Sequence, residues 1–250
     1  MSVNNIGLKS YEDLFKDDKG RKTEEIVPMD IKKLKPYAEQ PYKVLLDSSM
    51  DELLVYSDKI GLFEAFGYAE RERLINIRDE GARALSLGGL IALKEILDKR
   101  SLSPSLIIRE SGGKPRFISA DAGDFSISHS GDLSVALYGR KSKIGVDIEK
   151  ISLKRDLRGI AKRFFSCSES QYLEDMEYEP ESFYKIWTAK EAIAKCEGEA
   201  LADILRGLDI TTECKKYKLA HFHLIYGGEA YVLCVCGEDS IEMIKNFNNI

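Results

Sequence analysis

The stretch Ile144–Lys150, IGVDIEK, sets two carboxylates, Asp147 and Glu149, two residues apart inside an apolar run. Side chains alternate along a strand, so residues two apart share a face. Read as a strand, Val146 and Ile148 point into a core while Asp147 and Glu149 point out together. Two uses fit that arrangement. One is the ordinary acidic outer face of a half-buried strand. The other is a cation site, because neighbouring carboxylates repel unless positive charge lies between them.

Working outward, two further strand-like runs precede this one, DFSISHS (124–130) and LSVALYG (133–139). Gly131-Asp132 and the region Gly139 to Ser142 connect the three, and links this short predict an antiparallel meander. Upstream, Ala69 to about Lys99 is the best helical stretch, with Leu74, Ile77, Ala84, Leu85, Leu90, Ile91 and Leu97 near helical spacing. Gly88 and Gly89 either weaken its middle or let another element come close. Leu106 to Glu110 is a short strand candidate before the turn SGGKP. Downstream, Ile160 to Phe165 reads as the end of a helix, and Ser168 with Glu169 as the start of another. Glu181 to Glu197 is a strong helix with a stop at Gly198, followed by the strands KLAHFHLIYG and EAYVLCVCG. Helix, strands, helix, strands is an α+β order.

The chain has 250 residues and a net charge of −5, a balance that argues against bulk nucleic-acid binding, which favours a basic face. There is no apolar run of about 18 residues, so no membrane span is predicted. The polar N-terminus, MSVNNIGLKSYEDLFKDDKG, is not a secretory signal. Five irregularly spaced cysteines lack zinc-ligand spacing and are expected to be reduced, in a cytoplasmic protein.

Several residues invite chemistry. Glu191 and Lys195 lie four apart on the strong helix and share a face, which by itself predicts a surface ion pair. A third carboxylate opposite Asp147 and Glu149 would complete a hard-cation site of the kind Mg²⁺ takes. His129, between Ser128 and Ser130, sits just before the Gly131-Asp132 turn and is either a phosphate contact or an idle turn histidine. Lys114 and Arg116 lie in GGKPRF, where the glycines admit a ligand to the backbone and the cations suit phosphate.

Taken in order, GGKPRF, FSISHSGD, IGVDIEKI, RFFSCSE and FYKIWTAKEAIAK resemble the motifs of the 4′-phosphopantetheinyl transferases, over about 190 residues. The length after about residue 55 is similar to the longer, surfactin-synthetase-activating (Sfp) type. The resemblance implies transfer of phosphopantetheine from coenzyme A to a serine of an apo acyl or peptidyl carrier protein, with release of 3′,5′-ADP. It implies Mg²⁺ held by Asp147, Glu149 and Glu191, and a catalytic set of Glu191, Lys195 and Glu169. Coenzyme A would be held by Lys114, His129, Ser128 and Arg71, with Arg78 or Arg83 as a further candidate beside Arg71 for the 3′-phosphate. The implied fold is a pseudo-two-fold duplication, two α+β halves at 53–137 and 138–250 with the site at their junction, acting as a cytoplasmic monomer.

Residues 1–52 then form a partly disordered N-terminal extension. Within it and just beyond, about 23–60, IVPMDIKKLKPYAEQPYKV resembles a truncated ParB-like fragment without that family's Arg-rich nucleotide box. A ParB-like DNA- or nucleotide-binding module and an inactive transferase-like scaffold are the alternatives. Because every proposed site residue follows residue 70, residues 1 to about 50 are expected to be dispensable for catalysis.

Overall fold

A computed structural model describes residues 26–30, 61–99, 101–102, 105–109, 114–140, 142–211 and 216–237. Strand β1 (Ile26–Asp30) is followed by helices α1 (Leu62–Phe66), α2 (Tyr68–Ile75) and α3 (Glu80–Lys99). Next come β2 (Ile107–Ile108), β3 (Arg116–Phe117), β4 (Asp124–Ser130), β5 (Leu133–Gly139) and β6 (Ile144–Lys150). Helices α4 (Leu157–Phe164), α5 (Cys167–Asp175), α6 (Pro180–Glu197) and α7 (Leu201–Gly207) lead to the hairpin β7 (Lys218–Tyr226) and β8 (Glu229–Gly237). The architecture is mixed α+β, and no helix among the described residues is long and apolar enough to cross a membrane.

Two three-stranded antiparallel sheets carry the molecule, in the orders β1-β5-β4 and β6-β8-β7. Each has two working faces, and strand alternation assigns the residues to them. Ala136 and Tyr138 of β5 join α3 in one core. Leu133, Val135 and Leu137, the intervening β5 residues, pack with Val146 and Ile148 of β6 and with Tyr231, Leu233 and Val235 of β8 in a second. The other β8 face, Val232, Cys234 and Cys236, packs with α6 in a third. The order through the molecule is therefore helix, sheet, sheet, helix. The inner core shared by the two sheets fixes one sheet against the other.

The structure departs from the expected meander. Runs β4 and β5 form the expected hairpin, but β6 pairs with β8 rather than β5. The link between β5 and β6 is short, yet β6 joins the second sheet, where Val146 and Ile148 enter the core between the two sheets. The helical stretch 69–99 is two helices, separated at residues 76–79. Asp79 accepts from Ala82 N at 2.7 Å and so starts the second helix, while Arg83 donates to Ile77 O at 2.6 Å across the break. Gly89 does admit a neighbour, since a Cβ there would lie 2.4 Å from Ile127 Cγ2 of β4. Helix α7 was not foreseen: its seven residues, LADILRG, are too short to show a helical period.

Strand β1 lies within the segment assigned to an extension, yet it pairs with β5 from Ile26↔Leu137 to Asp30↔Leu133. Pro28 sits in it without penalty because β1 is an edge strand and a proline there need not donate. The remainder of the ParB-like stretch lies outside the described residues. The ParB-like resemblance finds no support.

Candidate active site

The β6 face that carries Asp147 and Glu149 is not an open outer face: Asp147 is buried and Glu149 half-buried. It lies against α6, and Gly145 makes that possible, since a Cβ at this position would fall 1.9 Å from Ala192 O. Helix α6 is firmly set. The Glu179 side chain caps its first amides, Pro180 occupies the first turn, and Gly198 ends it in the left-handed region at φ 74°. Its residues Glu191 and Lys195 are thereby brought to the β6 carboxylates. Asp147, Glu149 and Glu191 each offer an oxygen, all within 4.8 Å of one another.

Asp147 is 2% exposed. Its Oδ1 accepts from Ser128 Oγ at 2.7 Å and from Lys195 Nζ at 2.7 Å. Lys195 also donates to Ser128 Oγ at 2.9 Å. The other oxygen, Asp147 Oδ2, is buried with no hydrogen-bond partner among the described residues. Glu191 is pushed up to about 8 by burial and then by the Asp147 charge, with Lys195 pulling the other way. Burial and then Asp147 also raise Glu149, against a hydrogen bond from Ser130. Three carboxylates this close can coexist only if one keeps a proton or a cation lies among them. An all-oxygen donor set with an orphaned buried oxygen fits a hard divalent cation.

The other expected residues divide into those near this cluster and those elsewhere. Ser128 is part of it. His129, next on β4, points to the opposite strand face and keeps much of its surface exposed; partial desolvation and then the Lys195 charge lower its pKa. Arg73 also acts on His129, whereas Arg71 pairs with Glu72 at 3.8 Å on the surface of α2. Arg83 is committed to Ile77 O and Arg78 is exposed. Lys114 does not stand free for a phosphate: it donates to Asp124 Oδ2 at 2.5 Å and to Ile144 O at 2.8 Å, joining β4 to the start of β6.

Glu169 does not join the carboxylate cluster. It is 0% exposed, and its oxygens take Ser166 N, Ile210 N and Lys190 Nζ, the last at 2.8 Å. Those three partners tie it to the start of α5, to Ile210 and to α6, away from the Asp147, Glu149 and Glu191 cluster. The signal was in the sequence. Ser166-Cys-Ser-Glu169 has the spacing of a capping box, which the structure forms at the start of α5. Lys190, also missed, is 0% exposed and donates further to Leu205 O and Leu208 O of the α7 region. Ser130 and Gly145 were missed as well, because their roles depend on elements far away in the chain.

The sequence profile of the 4′-phosphopantetheinyl transferase superfamily matches residues 143–239. The chain is 35% identical over 130 residues to 4′-phosphopantetheinyl transferase AcpT of Salmonella typhi, covering 51% of this chain and 66% of that protein. It is 31% identical over 150 residues to 4′-phosphopantetheinyl transferase ffp of Bacillus subtilis, covering 58% and 65%. With 4′-phosphopantetheinyl transferase psf-1 of Bacillus pumilus it shares 34% over 144 residues, covering 56% and 59%. The chain thus spans less than two thirds of the length of these curated relatives. Strand β6, helix α6 and the β7–β8 hairpin, with Asp147, Glu149, Glu191 and Lys195 among them, all fall inside the segment 143–239 that is similar to the 4′-phosphopantetheinyl transferase superfamily.

Proposed function

We propose that this protein transfers 4′-phosphopantetheine from coenzyme A to a serine hydroxyl of an apo acyl or peptidyl carrier protein and releases 3′,5′-ADP. The observation that carries this is the convergence of Asp147, Glu149 and Glu191 around an orphaned buried oxygen, with Lys195 in contact. Asp147, Glu149 and Glu191 would hold Mg²⁺, which supplies charge neutralisation of the pyrophosphate and polarisation of the attacked phosphorus.

The chain's own residues account for the proton and charge movements. A carrier serine is a weak nucleophile, and Glu191, directly or through a water it holds, accepts its proton as the new O–P bond forms. The bond from that phosphorus to the bridging oxygen breaks, and the departing 3′,5′-ADP gains negative charge. Lys195, fixed by Ser128 and Asp147, offsets that charge. His129 and Ser128 on β4 contact the coenzyme A phosphates. Lys114 joins them by exchanging Asp124 for a phosphate oxygen, and Arg71, with Arg73 beside it, supplies positive charge from α2. The halves 53–137 and 138–250 place these groups on either side of one cleft, and the protein works as a cytoplasmic monomer.

The test is incubation of the purified protein with coenzyme A, Mg²⁺ and an apo carrier protein, followed by intact-mass measurement. The carrier is expected to gain the mass of the phosphopantetheine arm. An unchanged carrier across acyl and peptidyl types would overturn the proposal in favour of an inactive scaffold.

A further inference from the structure

Strands β4 and β6 lie side by side at the junction of the two sheets without exchanging backbone hydrogen bonds. Serine side chains take their place. Val146 N donates to Ser126 Oγ at 3.0 Å, Ile148 N to Ser128 Oγ at 3.3 Å and Lys150 N to Ser130 Oγ at 3.0 Å. All three pairs are 20 residues apart, so the strands run parallel in a constant register. One face of SISHS thus acts as a substitute strand edge for β6.

A serine hydroxyl has one proton to give while it accepts. In this ladder that proton is aimed at a carboxylate one residue back. Ser128 Oγ donates to Asp147 Oδ1 at 2.7 Å and Ser130 Oγ to Glu149 Oε2 at 3.0 Å. Ser126 is the exception that separates the two duties. The residue corresponding to Asp147 and Glu149 on its rung is Gly145, which has no side chain to receive it and no room for one against Ala192 O. The three rungs share the backbone bond, and two of them also hold a carboxylate.

We infer that Ser130 is a positioning residue for Glu149: its hydroxyl, anchored by Lys150 N, holds the glutamate oxygen at the cation site. The inference rests on the metal role proposed above. A glutamate has three rotatable side-chain bonds; Trp187 and Arg155 also act on Glu149, but Ser130 is the partner tied to the β6 backbone itself and so holds its oxygen beside Asp147 before a cation arrives. Partners that orient ligands in this way characteristically matter to affinity almost as much as the ligands.

The experiment measures Mn²⁺ binding to the full-length protein by electron paramagnetic resonance, without coenzyme A or carrier, alongside thermal melting of the metal-free protein. Ser130→Ala is expected to weaken Mn²⁺ binding by about 10- to 100-fold, the usual effect of losing a ligand-orienting partner. Ser130→Thr, which keeps the hydroxyl, restores most of it. Ser126→Ala loses the same backbone bond, lowers the melting temperature similarly, and leaves Mn²⁺ affinity as in the wild type. Should Ser130→Ala fail to fold, Ser130→Cys, a weaker donor of similar size, is expected to fold and bind Mn²⁺ less tightly than the wild type. Equal Mn²⁺ affinity in the wild type and the folded Ser130 variant overturns the inference alone, as does equal weakening by Ser126→Ala. A wild-type protein that binds Mn²⁺ no better than Glu149→Gln overturns the metal site and the inference together.

Discussion

Asp147 is held by two donors on one oxygen and by none on the other, while two further carboxylates face it. Removing it should cost transfer activity without unfolding the protein, because the loss of Ser128 and Lys195 contacts is offset by relief of carboxylate repulsion. Asp147→Ala is expected to lower kcat/KM by at least about 100-fold, consistent with the several kcal/mol a bound cation supplies. Near-normal turnover at ordinary Mg²⁺ would remove the metal role. The same crowding predicts a pH effect. In the folded, metal-free protein Glu191 titrates at about 8, against 4.5 for an ordinary glutamate. The folded state then holds a proton that the unfolded chain has released, so stability falls as pH rises through this window. Below about 4.5 that contribution is intact, and above about 8 it is gone. Melting temperatures measured from pH 5 to 8.5 should therefore decline for the metal-free protein, decline less with Mg²⁺, and lose this component in Glu191→Gln.

At the scale of elements, two contacts set where α6 lies. The first is the glycine seat at β6. Gly145→Ala would drive a methyl group into Ala192 O and push the helix away, taking Glu191 and Lys195 from Asp147 and Glu149. Overpacking of this kind costs on the order of 1–3 kcal/mol or more. Loss of Mn²⁺ binding with the fold retained, seen by circular dichroism, is the expected result; unchanged binding would mean the helix does not need this seat. The second contact is the fully buried Glu169–Lys190 pair joining α5 to α6. Glu169→Ala leaves Lys190 buried and uncompensated, an expected loss of about 3–5 kcal/mol. Replacing both by methionine should cost much less. Urea unfolding of the single and double variants checks this, and turnover near the wild-type value in the folded double variant would agree with an architectural role for Glu169.

For the whole molecule, the N-terminal segment takes on a structural task. Strand β1 covers one edge of β5, the strand whose opposite face packs into the core shared by both sheets. A chain starting at Ser49 lacks β1 and uncovers a ladder edge, which favours aggregation. It is expected to melt at a lower temperature and to be less soluble than the full chain, in contrast to the dispensability that the positions of the site residues alone imply. A melt and sedimentation profile indistinguishable from the full chain would show that β5 does not need the covering strand.

The sequence by itself determined the local elements and the chemical types at the site. IGVDIEK shows its strand period, FYKIWTAKEAIAK its helix, and the order of the motifs points to the superfamily, because periodicity, caps and turns are properties of neighbouring residues. Tertiary structure alone decided which sheet β6 joins, that its acidic face meets a helix rather than water, and that Glu169 pairs with Lys190 instead of joining the cluster. It also decided that alternate serines of β4 bind the backbone of β6. Those outcomes depend on apolar burial and hydrogen-bond completion between segments that are distant in the chain, and no window along the sequence contains both partners.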